Sequence, residues 1–211
     1  MNRDSLVLGV TGVFFGLLVG WIIGSQQAGA PAPSSAPAAA ASAPATASQG
    51  QPAPPPLDEA RASALKTTAQ QNPRDAATRV QLANMYFDAE RFQEAAEWYE
   101  QALKIDPKDI NASTDLGIAY YYMNQPDRAL AQFDTSLAID PRHAKTLLNI
   151  GIVRAFGKQD LKGAADAWQK ALQYAPPGSD EARAAQQALD GVRSAHPDMG
   201  IPAPSGRGSS E

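Results

Sequence analysis

The feature that most limits what this chain can fold into is a spacing. Pro107 and Pro141 each close an Ile-Asp-Pro triplet and stand 34 residues apart, and Pro176, closing Tyr174-Ala175-Pro176, follows 35 residues later. Pro73, in Asn72-Pro73-Arg74-Asp75, stands another 34 residues before Pro107. Proline offers no N–H to a helix and pushes the residue before it out of helical geometry, so each of these prolines stops one helix and sets up a turn. The interval has room for two helices with their turns. One such pair cannot bury its own apolar face, so successive pairs must stack.

Taking each proline as position 32 of a unit, the matches recur at fixed places. The Leu/Gly pair of the first helix is Leu82-Ala83, Leu116-Gly117 and Ile150-Gly151, and the following tyrosine position holds Tyr86, Tyr120 and Arg154. In the second helix a small residue (Ala95, Ala129, Ala164) precedes an aromatic by four (Tyr99, Phe133, Trp168), and a second small residue follows (Ala102, Ser136, Ala171). Small residues let the helices cross closely, and the aromatic fills the space beside them. The third unit needs one extra residue, which the spacing places in the Gly157-Lys158-Gln159-Asp160 turn. Over residues 73–178 the pattern resembles the tetratricopeptide-repeat (TPR) family. It departs from the family at Arg154 and at the tryptophan position, which holds Arg79, Ser113 and Leu147.

The resemblance implies an all-α helical solenoid over 57–195, with about three repeats at 76–109, 110–143 and 144–178. Flanking helices are expected at 57–71 and 179–195, the second with Ser179 as its N-cap. In the first helix of each repeat, positions 5, 9 and 12 point roughly 115° away from the packing face. In the family these positions line a concave groove that holds partner segments. Here they are Val80, Asn84 and Phe87, then Thr114, Ile118 and Tyr121, then Leu148, Ile152 and Ala155. Six of the nine are large and apolar or aromatic, which suits an amphipathic helix or an extended apolar peptide. The alternative is that a flanking helix covers them. Some family members grip a C-terminal carboxylate with Lys, Asn and Arg. Only Asn84, Lys145 and Asn149 answer to that lining, so no such clamp is expected.

Leu6 to Ile23 is eighteen residues without a charge, about 27 Å as a helix, which matches a bilayer's hydrocarbon core and exceeds the apolar region of a cleavable signal. Arg3 precedes it and no Lys or Arg follows until Arg61. The expectation is a single-pass anchor at 1–24, in an inner or plasma membrane, with its N-terminus in the cytoplasm and the repeats periplasmic or extracellular. Gly12, Gly16, Gly20 and Gly24 form a stripe suited to helix packing, with a partner helix or by self-association. Residues 25–56 contain only Ala, Pro, Ser, Gln, Gly and Thr and read as a disordered, extended linker, and 196–211 as a loose tail.

No catalytic constellation stands out. The chain has no cysteine, and its two histidines, His143 and His196, read as surface residues. Glu90, Glu94, Glu97 and Glu100 read as a solvated helix face. A formal charge of -4 argues against a nucleic-acid partner. Neither a cofactor nor a metal is expected, nor an enzymatic role. The function this implies is a membrane-tethered scaffold for complex assembly. Its architecture is similar to the membrane-anchored TPR subunits of cytochrome c maturation. The alternative is a permanent structural subunit of a membrane complex, docked through the glycine stripe.

Overall fold

The computed structural model describes residues 54–201. The apolar segment 6–23 with its glycine stripe, most of the Ala/Pro/Ser-rich stretch and residues 202–211 lie outside them. Among the described residues no helix is long and apolar enough to cross a membrane.

Eight α-helices and no strand make up the described residues. They are α1 (Glu59–Gln71), α2 (Ala76–Asp88), α3 (Phe92–Ile105), α4 (Ile110–Tyr122), α5 (Pro126–Ile139), α6 (Ala144–Ile152), α7 (Leu161–Tyr174) and α8 (Asp180–Ala195). The pairs α2/α3, α4/α5 and α6/α7 are the three units read from the prolines, with α1 and α8 flanking them. Asp58, Asp75, Asp109, Asp160 and Ser179 each stand just before a helix and accept a backbone N–H three residues on, at 2.8–3.2 Å. These caps satisfy orphan donors at the starts of α1, α2, α4, α7 and α8. Pro126 begins α5, where its missing N–H costs nothing.

The extra residue of the third unit is not in the turn. In the first two units the turn closes over five residues, Arg91 N to Tyr86 O at 2.8 Å and Gln125 N to Tyr120 O at 2.9 Å. In the third, Asp160 N bonds Arg154 O at 2.8 Å, over six. The added residue sits in a π-helical turn, Val153–Gly157, that prolongs α6. A π-turn takes in one residue without breaking the helix. The turn itself is therefore preserved: Glu90, Asn124 and Gln159 hold the same left-handed place in each, at φ 56°, 58° and 55°.

The core forms two clusters. The larger gathers Leu82, Tyr86, Tyr99, Leu116, Ile118 and Phe133 from the first two units, with Ile150 and Val153 reaching in from the third. The smaller gathers Leu147, Leu148 and Trp168 with Ala185, Leu189 and Val192 of α8. Between the helices of a pair, Gly117 lies against the Phe133 ring and Gly151 against the Trp168 indole. A buried hydroxyl pair, Ser113 and Ser136 at 2.7 Å, joins α4 to α5, and Gln132 donates to Ser113 at 2.8 Å.

The loose reading of 196–211 fails for its first residues. Pro197–Met199 form a 3₁₀ turn, Met199 and Ile201 pack on the smaller cluster, and the Arg193 side chain donates to Ile201 O at 3.4 Å. His196 is not a plain surface residue either, because its Nε2 is buried, without a hydrogen-bond partner among the described residues.

Candidate partner-binding face

The structure divides the residues assigned to the groove. Thr114, Ile118 and Leu148 are buried, at 0%, 5% and 4% exposure. Ala155, read at the same register, is buried too. The reason is stacking. Ile118 joins the larger cluster between successive units, and Leu148 is covered where α8 packs on α6 and α7. These residues are inter-unit packing and offer a partner no surface. Val80, Asn84, Phe87, Tyr121 and Ile152 are half-buried.

Thr114 is buried because it has polar partners. Its hydroxyl donates to Ile110 O at 2.8 Å and lies 2.7 Å from Thr146 Oγ1, which lies 2.7 Å from His143 Nδ1. A hydroxyl has one proton to give. Thr114 spends its own on Ile110, so Thr146 donates to Thr114, and His143 must donate through Nδ1–H to Thr146. His143 is thus a half-buried link between α4 and α6, contrary to the surface reading. Burial, then the Lys145 charge, holds its imidazole below the ordinary histidine range. A base with a depressed folded value gives stability that is whole above its unfolded value, about 6.5, and is lost as pH falls below that. Denaturant titrations at pH 7.5 and 5.5 are expected to show a smaller loss on acidification for His143→Gln than for the wild type. Equal losses would remove His143 from the pH response.

One of the half-buried residues, Asn84, belongs to a set of polar contacts. Tyr99 donates to Asn84 Oδ1 at 2.5 Å across α2 and α3. Burial, then the charges of Asp115, Asp88 and Asp109, push its phenol far above the ordinary tyrosine range. Lys145 Nζ meets Asp115 Oδ1 at 2.6 Å, and Asn149 donates to Lys145 O at 2.8 Å. Asn84, Lys145 and Asn149, the residues that answer to the carboxylate-gripping lining, are therefore all engaged within the fold. The glutamates of α3 are not merely a solvated face: Glu94 pairs with Arg91, and Glu100 accepts the Tyr120 hydroxyl at 2.6 Å.

Two other half-buried residues, Phe87 and Tyr121, belong to an aromatic group. Phe87 meets Phe92 and Tyr122 edge-on, with centroids at 5.2 and 5.7 Å, and Phe92 stacks on Tyr122 at 4.5 Å. Tyr121 lies 6.1 Å from Tyr122. The π-turn supplies a further aromatic. Counted back from the left-handed turn residue, Phe156 stands third, as Phe87 and Tyr121 do, and it is 43% exposed. Counting forward from the proline assigns that place to Ala155. Sequence reasoning missed Phe156, Phe92, Tyr122, Asp88 and Asp115. The signal for Phe156 was the aromatic one residue beyond Ala155, legible once the extra residue is placed inside the helix. Among the described residues no group of three His, Asp or Glu is placed to hold a metal.

Two family models match the chain: "TPR repeat" over residues 83–124 and "Tetratricopeptide repeat" over 114–180. A comparison with curated proteins finds no match. Among solved structures, a crystal structure of MamA is 19% identical, with a TM-score of 0.54 over 62% of this chain and 75% of that one. The first TPR of Spaghetti (RPAP3), bound to the HSP90 peptide SRMEEVD, is 22% identical, with a TM-score of 0.51 over 57% of this chain and 91% of that one. At these identities the likeness concerns the fold alone. Together with the helix pairs described above, the two family models show tetratricopeptide repeats over residues 83–180, within the all-α solenoid of the described residues.

Proposed function

We propose that this chain is a membrane-tethered TPR scaffold that holds a protein segment on its half-buried aromatic face and so brings that protein to a complex being assembled. The observation that carries the reading is the packed group Phe87, Phe92, Tyr121 and Tyr122 from two successive repeats, with the exposed Phe156 at the equivalent helix place in the third. Partly exposed aromatics at such density mark interaction surfaces, because each buries much area at small entropic cost. An extended apolar peptide or the apolar side of an amphipathic helix suits these residues. The TPR of the RPAP3 structure is bound to a peptide, which supports a peptide-like partner here. The role is one of binding and not of catalysis.

The tether rests on the uncharged run Leu6–Ile23 and on the proline-rich stretch after it, which would let the repeats stand away from the bilayer on the periplasmic or extracellular side. Cytochrome c maturation is one assembly process that uses this architecture. A second reading, a permanent subunit docked through Gly12, Gly16, Gly20 and Gly24, is favoured by the four-residue spacing of those glycines.

A photo-crosslinker at Phe156 of the full chain, in native membranes, is expected to capture one defined protein. Tyr121→Ala should weaken binding of that protein roughly 30-fold, as loss of an aromatic at the centre of an interface does. Carbonate washing should leave the chain in the membrane and release the partner. An unchanged affinity in a folded Tyr121→Ala variant would move the binding surface elsewhere. Stoichiometric retention of the partner through the wash would favour the permanent subunit.

A further inference from the structure

Asp88 is badly placed for the fold it belongs to. It is the last residue of α2, where a carboxylate faces the negative end of the helix dipole. It is half-buried, and among the described residues neither a hydrogen bond nor an ion pair reaches it. The charge that acts on it most is another carboxylate, Asp115. The cation of this region, Lys145, is spent on Asp115 at 2.6 Å. Arg91, three residues beyond Asp88, is held by Glu94 and by Glu59 at 3.2 Å. A partly desolvated carboxylate with no counter-charge costs the protein stability. Its charge acts on the buried Tyr99 phenol, and the residue before it, Phe87, packs edge-on against Phe92 and Tyr122. A side chain with a cationic head and a flat or long apolar stem fits both features, with the head on the carboxylate and the stem on the rings.

We infer that the segment held on the aromatic face presents an arginine or lysine, flanked by apolar side chains, to Asp88. This rests on the partner-binding reading given above and adds the charge of the ligand. Asp88 supplies a half-buried negative charge with a second carboxylate, Asp115, acting on it, and charge complementarity selects the basic segment over an acidic or uncharged one. Burial, with Asp115, also holds the Asp88 carboxyl above its usual range. A carboxyl with a raised folded value stabilises the fold below its unfolded value, and that stability is lost as pH rises through the folded value. At neutral pH the ionised Asp88 therefore works against folding, so a neutral amide should relieve the fold while harming binding.

The test is a selection of random twelve-residue peptides on the full chain in detergent micelles, followed by fluorescence anisotropy with the enriched sequences. Enriched peptides are expected to carry Arg or Lys beside aromatic or branched apolar residues. Asp88→Asn should weaken the best of them about tenfold and Asp88→Lys should abolish binding, while the melting temperature of Asp88→Asn rises or holds. A merely structural role would lower stability and affinity together. Peptides that need Tyr121 yet are acidic or uncharged, or are indifferent to Asp88→Asn, would overturn this inference and leave the binding face standing. Failure to enrich any Tyr121-dependent peptide would overturn both. A concentration-dependent dimer of the full chain that Asp88→Lys abolishes would make a second copy the occupant and overturn the inference as well.

Discussion

Gly151→Ala is expected to destabilise the repeat domain by about 2 kcal/mol, although alanine is the better helix former. Propensity alone favours the substitution by about 1 kcal/mol. Space decides against it. A methyl at Gly151 would stand 2.6 Å from Trp168 Cε2 and closer still to Nε1 and Cδ1. The indole is 1% exposed and donates to Leu148 O at 3.1 Å, so it has nowhere to move and a hydrogen bond to lose. Overpacking of this kind costs about 3 kcal/mol at the upper end of its usual range, which outweighs the propensity gain. Gly117→Ala meets the Phe133 ring, with Cδ1 at 2.7 Å. A phenyl ring gives up no hydrogen bond when it shifts, so the loss there should be smaller. The first unit holds a fully buried Ala83 at this position, and there the sign reverses. Ala83→Gly should cost about 1 kcal/mol through propensity. Urea denaturation of the three variants checks the order. A stabilised Gly151→Ala would mean that the helix pair can open to admit a methyl.

The reversal of sign between Ala83 and Gly151 shows which part of the fold could be read from spacing. Proline stops, small residues and the aromatics four residues on are local rules, repeated three times, and they located every helix pair and the Ser179 cap. Burial across units is not local. Thr114, Ile118 and Leu148 occupy helix positions that point away from their own partner helix, yet Val80, at the register of Thr114 and Leu148, and Asn84, at that of Ile118, stay half-buried. Only the neighbour in the stack tells them apart: Thr146 meets Thr114, and α8 covers Leu148. The π-turn was hidden for a related reason. One inserted residue fits a loop or a helix equally well on spacing, and the choice falls to the helix because the Glu90, Asn124 and Gln159 turns keep one geometry. That choice puts Phe156, and not Ala155, at the helix place of Phe87 and Tyr121. Asp88 and Asp115 escaped because charge balance depends on which cations reach them, and Lys145 comes from the next unit, 30 residues away from Asp115.

Trp168→Ala is expected to cost about 4 kcal/mol, in the range for deleting a large buried aromatic, and to concentrate that cost at one end of the molecule. Trp168 anchors the smaller cluster, on which α8 buries Ala185, Leu189 and Val192. Three of the five buried residues of α8 are alanines, so little apolar area holds this helix once the indole is gone. The larger cluster contains Leu82, Tyr86, Tyr99, Leu116 and Phe133 and does not include Trp168. In a stack where each unit touches its neighbours, damage should remain local. Amide hydrogen exchange should therefore show protection lost across residues 144–201 and kept across 76–122. The boundary falls on α5. Leu137 packs against both clusters, and Ile150 and Val153 of the third unit reach into the larger one, so residues 126–139 should lose protection in part. Uniform loss through α2, α3 and α4 would show instead that Ile150 and Val153 couple the two clusters into one cooperative unit, and Phe87, Phe92, Tyr121 and Tyr122 of the first two units would then depend for their placement on a tryptophan of the third.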